Sequence, residues 1–264
     1  MKIFDCFTYY DEDLVLDIRL NTLNKYVDKF VIIEAGEDHQ GNKKGKNFKI
    51  DNFKKFKSKI IYLFFDKFPN LKNSWQRENF QRNFISNALL KAKENDLIII
   101  SDVDEIPNLK NYNFKKSKKA FFVFEQKMFY YKINLLSETN PIWHGSKACR
   151  KKNLISPQWL RSQKTCKKYP IWRIDKIKFE RIINGGWHFS FLKNYAGMVK
   201  KIQSFAHTEY NKPKYTNLKN VKKLVENYKD IFGRKIKYKK IELNSLYPEY
   251  ILKNLNKFKD FILT

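Results

Sequence analysis

Apolar residues along the first hundred positions follow two rhythms, and the changes between them divide the stretch into strands and helices. Residues 2–9 alternate loosely and predict a first strand, after which Asp11 is placed to cap a helix over about 12–25 with Leu14 and Ile18 on one face. A second strand is predicted over 28–35. It runs into a polar, glycine-containing loop over 36–45, and a third strand follows over 59–65. From about 73 to 93, Phe80, Phe84, Ile85, Ala88, Leu89 and Ala92 recur at spacings of three and four, the apolar face of a long helix. Leu97-Ile98-Ile99-Ile100 then reads as a fourth, fully buried strand, and a longer apolar run over 120–131 as another. Strands alternating with helices predict an α/β fold with a mostly parallel sheet.

Composition narrows the class. Of the 264 residues 42% are hydrophobic and 16% aromatic, enough to bury a sizeable core. No repeat and no Pro- or Gly-rich linker divides the chain. One domain is therefore expected over 1–264, with a first half to residue 135, a second part over 136–215 and a lysine-rich, helix-like extension over 216–264. No apolar run is long enough to span a bilayer, and the first residues lack a signal-peptide pattern, so a soluble, cytoplasmic protein is expected. The cysteines, Cys6, Cys149 and Cys166, are too scattered for a zinc site or a disulfide framework and are expected to be reduced. Fifty-four Lys and Arg against 27 Asp and Glu give a net charge of +27. The lysines are spread over the whole chain, which disfavours a nucleic-acid-binding arm. They favour a solvated basic surface that attracts anionic small molecules, glycans or an acidic membrane face.

Against this background one acidic cluster stands out. The fourth strand ends in Asp102, Asp104 and Glu105, three carboxylates in four residues, closed by Pro107. Like charges so close favour a cation among them, and the carboxyl end of a central strand is where open α/β sheets hold ligands. The same residues would also suit the first turn of a helix. Arg77 and Arg82 lie in the first turns of the 73–93 helix, beside Trp75, Glu78 and Gln81, placed for an anion or for ion pairing within the helix. Farther on, histidines and tryptophans gather in Trp143-His144-Gly145, Gly185-Gly186-Trp187-His188 and Ala206-His207-Thr208-Glu209. A neutral imidazole such as His188 suits a metal already held by Asp104.

Taken together these segments resemble glycosyltransferase family 17, the β-1,4-mannosyl-glycoprotein N-acetylglucosaminyltransferases. The matching pieces run in family order: Tyr9-Tyr10-Asp11-Glu12-Asp13-Leu14, then 27–34, then Trp75 with Arg77-Glu78 and Gln81-Arg82-Asn83. Residues 100–107, 185–190 and Lys201-Ile202 with Ser204-Phe205-Ala206-His207 complete the set. The resemblance implies a GT-A type nucleotide-sugar fold, a UDP-sugar donor (UDP-GlcNAc in characterised members), a divalent cation, Mn²⁺ or Mg²⁺, and inversion at the anomeric carbon. In that frame Asp104, Asp102 and His188 are the expected metal ligands, with Asp102 also meeting ribose or a metal-bound water. Arg77 and Arg82 are candidates for the diphosphate, and Trp187 for a sugar ring. Glu209 or Glu105 is the candidate base, with Glu125 also facing the acceptor side. The acceptor is a glycan or lipid-linked saccharide, and the missing membrane anchor of the animal members points to a free-standing enzyme acting on a surface glycan. The same carboxylates would also serve a metal-dependent nucleotide-sugar phosphohydrolase or nucleotidyltransferase, and the charge a nucleic-acid-binding protein.

Overall fold

The computed structural model describes residues 1–165 and 177–264. Its first half is β1 (Ile3–Thr8), α1 (Asp13–Leu23), β2 (Lys29–Ala35), β3 (Ile60–Phe65), α2 (Ser74–Asn83) and β4 (Leu97–Asp102), in the predicted order. Strands β3, β2, β1 and β4 lie side by side and all parallel. Alternation along them feeds two cores. Phe7, Phe30, Ile32, Leu97 and Ile99 face one side, while Phe4, Cys6, Val31, Ile33, Ile98 and Ile100 face the other. Both faces are covered, which is why these strands read as unbroken apolar runs.

The second half closes the sheet with mixed pairing. It comprises β5 (Glu105–Pro107), β6 (Phe121–Tyr130), β7 (Leu135–Ser137), β8 (Ile142–Trp143), β9 (Lys147–Arg150), α3 (Pro157–Ser162), β10 (Glu180–Ser190) and α4 (Tyr195–Ser204). Strand β9 joins the halves, antiparallel to both β4 and β6, and β10 lies parallel to β6 and antiparallel to β5. The extension adds α5 (Pro213–Thr216), α6 (Leu218–Glu226), β11 (Tyr238–Lys240), α7 (Glu249–Lys253) and α8 (Leu255–Phe258). It is tied to the body: β11 pairs with β7, and Tyr250 and Lys257 both reach Asp17 of α1. No helix among the described residues is long and apolar enough to cross a membrane.

Three local expectations change. Asp11 does not cap α1. Glu12 occupies the cap and its carboxylate accepts the N–H groups of Tyr10 and Asp11, while Asp11 turns to Lys193 and Lys200. The long helix starts as expected, with Asn73 accepting the Gln76 N–H, but α2 ends at Asn83 and tightens into a 3₁₀ segment, Phe84–Leu89. Phe84, Ile85, Ser86 and Asn87 are poor helix formers in succession, and the Asn83 side-chain oxygen accepts the Gln158 N–H. Finally, Glu105–Pro107 is not a helix start but strand β5, with His188 opposite Glu105 and Trp187 opposite Ile106. Cys6 and Cys149 are buried free thiols, and Cys166 lies outside the described residues.

Candidate active site

The turn from β4 into β5 is held from beneath by Arg19 of α1. Its Nη1 donates to the carbonyls of Asp102, Val103 and Glu105 at 3.0, 3.2 and 2.8 Å. Its Nε and Nη2 bind the Asp5 carboxylate at 2.8 and 2.5 Å, and Nη2 also reaches Ser101 Oγ. Arg19 and Asp5 are both fully buried, so each ion is compensated by the other and by the turn's own carbonyls. With three backbone oxygens fixed below, the side chains of Asp102 and Asp104 are presented above.

There each carboxylate meets its own cation. Asp102 accepts from Arg82 at 3.0 Å and from Arg161 at 2.7 Å. Burial alone would raise its pKa, but the Arg161 and Arg82 charges outweigh this and hold it down to about 2. Asp104 binds Lys201 Nζ of α4 at 2.8 Å and lies 3.4 Å from His188 Nε2. Against the opposing effect of burial, Lys201 and His188 hold its carboxyl far below the usual carboxylate range. Glu105, fully buried, is clamped by both Arg161 Nη groups at 2.7 and 2.6 Å, by Trp143 Nε1 at 2.6 Å and by the Asp102 N–H at 3.0 Å. Gly145 lets these groups close up, since a Cβ there would sit 2.0 Å from Glu105 Oε1.

Above the turn opens a cavity of about 440 Å³, at the carboxyl ends of β1, β2 and β4, where the fold class predicts a ligand. Asp102, Asp104, His188 and Arg82 line it, and so do His39 and Lys44 from the 36–45 loop. The other predicted residues lie elsewhere. Arg77 is outside the cavity lining and braces the 36–45 loop by donating to the His39 carbonyl. Trp187 points away from His188, as neighbours in a strand must, and donates its indole N–H to the Leu246 carbonyl. Glu105 lies below the cavity lining in its clamp. Glu209 is exposed and bonded to His207, and Glu125 pairs with Arg181 and His144. Neither carboxylate reaches the cavity.

A divalent ion fits part of the expected ligand set. Asp104 and His188 both line the cavity, and the imidazole nitrogen facing Asp104, at 3.4 Å, is Nε2. Asp102 is not free to join them, because both its oxygens are held by arginines. Among the described residues no group of three or more His, Cys, Asp or Glu forms a metal cluster. The remaining positions around an ion at Asp104 and His188 would therefore fall to water and to a ligand's own oxygens, as Mg²⁺ and Mn²⁺ commonly accept.

Two kinds of residue at the site carry no signal in the sequence of where they lie. Arg161 and Lys201 reach the site from α3 and α4, far along the chain from the acidic turn they meet. Helical spacing makes Glu78 the ion-pair partner of Arg82, which it is at 2.6 Å. It also lines the cavity, and the Arg82 nitrogen it binds is the one that binds Asp102.

Known glycosyltransferases resemble this chain over parts of its length. The human β-1,4-mannosyl-glycoprotein 4-β-N-acetylglucosaminyltransferase is 30% identical over 103 residues, 35% of this chain and 19% of the human protein. The mouse protein of the same name is 29% identical over the same lengths. The match thus spans about a fifth of these relatives. A solved glycosyltransferase involved in the glycosylation of the major capsid of PBCV-1 aligns over 69% of this chain and 81% of its own, with 12% identity and a TM-score of 0.34. The family model for glycosyltransferase family 17 matches residues 1–262, nearly the whole chain, and the protein belongs to that family of glycosyltransferases.

Proposed function

We propose that the protein transfers N-acetylglucosamine from UDP-GlcNAc to a glycan or lipid-linked saccharide, with a divalent cation and with inversion. The observation that carries this reading is Asp104 in the turn after β4, lining the cavity together with His188 and Lys201. Asp104 and His188 would hold Mn²⁺ or Mg²⁺, which supplies positive charge to a departing diphosphate. Lys201 adds a second positive charge beside the same carboxylate and is placed to follow the phosphate oxygens once Asp104 is engaged. Arg82 and Arg161 keep Asp102 ionised, so that it accepts hydrogen bonds from a ribose or a bound water. The 36–45 loop, through His39 and Lys44, closes the nucleotide end.

Inversion needs a base on the acceptor hydroxyl. Glu209 and Glu105 are replaced in this role by Glu78. It lines the cavity beside Asp102, one of its oxygens is held by Arg82, and the other has no partner among the described residues. In the transfer step Glu78 takes the acceptor proton, the acceptor oxygen bonds to the anomeric carbon, and the bond to the diphosphate oxygen breaks.

Thermal melting with UDP-GlcNAc, with and without Mn²⁺, tests the donor site. At about a hundredfold excess over Kd, linkage adds about 2.7 kcal/mol, a rise of roughly 5–10 °C for a chain of this size. The rise is expected to require Mn²⁺ and to vanish in Asp104→Asn; no rise with any nucleotide sugar overturns the proposal. Glu78→Gln is expected to keep the donor-induced shift and lose transfer by about 10²–10⁴-fold. Unchanged transfer in that variant removes Glu78 as the base, and donor hydrolysis indifferent to every saccharide acceptor favours the phosphohydrolase.

A further inference from the structure

A second cavity, of about 600 Å³, lies on the other side of the β5–β10 pair. Its wall carries Trp187 and Gly186, the strand neighbours of His188, together with Pro107 and Asn108, which follow the acidic turn. Gly186 permits this close seam: its φ is +137°, and a Cβ there would lie 2.1 Å from the Ile106 carbonyl oxygen. Trp187 is therefore absorbed not by the catalytic cavity but by this one.

The lining has a definite chemistry. Lys25, Lys55, Lys110, Lys127 and Lys253 contribute five positive charges against the single carboxylate of Glu249. Glu249 is already shared by Lys253 at 2.6 Å and Lys25 at 3.9 Å, and Lys55 donates to the Asn21 side chain. The ammonium groups of Lys110 and Lys127 make no hydrogen bond or salt bridge among the described residues, although the charge of Lys110 also acts on Glu249. Lys127 is half-buried and in register with Trp187, so its charge lies along that wall of the cavity. The Tyr247 hydroxyl, at a residue only 5% exposed in the same lining, also has no partner among the described residues. Tyr26 and Tyr250 offer half-buried aromatic rings, and Asn108 and Asn184 side-chain amides. Five ammonium groups against one carboxylate select an anion, amides match hydroxyl groups, and rings cover the apolar face of a sugar.

We propose that this cavity is a second ligand site, for a saccharide bearing a carboxylate or a phosphate, separated from the catalytic cavity by β5 and β10. It rests on the cavity's own residues and stands apart from the donor-site reading. The experiment is calorimetric titration of the full chain with three probes: a glucuronate-containing disaccharide, N-acetylglucosamine 6-phosphate, and neutral chitobiose. Saturable binding of either anionic probe is expected, with the stronger one identifying carboxylate or phosphate as the anion. Chitobiose is expected to bind at least about tenfold more weakly. Lys110→Gln/Lys127→Gln is expected to weaken the anionic probe by about tenfold or more, while Asp104→Asn leaves it unchanged. The proposal is overturned if neither anionic probe binds or if chitobiose binds equally well. Binding that survives the lysine double variant but is lost in Asp104→Asn overturns it too, by placing the saccharide in the catalytic cavity.

Discussion

The two faces of the turn between β4 and β5 carry similar ion pairs in opposite circumstances. On the inner face, Arg19 and Asp5 are sealed from solvent and Arg19 is bonded to three backbone carbonyls, so nothing from outside can replace either ion. On the outer face, Asp102 and Asp104 are matched by Arg82, Arg161 and Lys201 at the wall of a cavity. The inner pair fixes geometry, because breaking it strands a buried charge. The outer pairs hold the carboxylates ionised at a cavity wall that a ligand can reach.

The largest effect should come from the inner face. Arg19→Ala leaves Asp5 buried without its cation and three turn carbonyls without a donor, at a cost of about 3–5 kcal/mol. Denaturant unfolding should show this loss, and activity should fall with it. Arg19→Lys should rescue little, since one ammonium cannot reproduce the forked set of contacts.

A smaller effect separates the faces by pH. Asp102 is held at about 2 against an ordinary 3.8, and Asp104 lower still. Carboxylates with depressed pKa contribute stability above their unfolded value and lose it as pH falls through the folded one. Lys201 is displaced the other way, burial being outweighed by Asp104, so its contribution is lost only above the ordinary lysine value of 10.5. The melting temperature should therefore be insensitive to these groups at neutral pH and fall as pH drops below 3.8. Asp104→Asn should flatten part of that acid limb; an unchanged limb would show that the pairs at Asp104 contribute nothing to folding.

The smallest effect belongs to Glu209. Its carboxylate lies outside the cavity and is exposed, with the His207 hydrogen bond lowering its pKa. Glu209→Gln should leave kcat/KM within about twofold and stability within about 0.5 kcal/mol. A large loss of kcat would return the base to this residue.

What was legible in the chain follows from the range of the interactions. Strands β1 to β4 and the start of α2 were readable because alternation and capping act over a few residues. The acidic turn was readable as a site because three carboxylates in four positions demand compensation. Its compensators were not: Arg19, Arg161 and Lys201 are single basic residues among many, and only the folded chain brings them to the turn. The same limit explains Glu105 and Trp187. Adjacency in sequence suggested shared function, whereas strand geometry sends Asp104 and Glu105, or Trp187 and His188, to different surroundings.

The pairing of β10 with β5 sets the order in which the molecule becomes competent. His188 and Lys201 arrive about a hundred residues after the carboxylates they meet, with Arg161 between them in the chain. A nascent chain that has completed only the parallel β3–β2–β1–β4 sheet displays Asp102 and Asp104 without Arg161, His188 or Lys201. Such long-range closure is slow to form. Ligand binding at this turn would therefore report complete folding, and recovery of the proposed donor binding after dilution from denaturant should lag behind recovery of the parallel sheet.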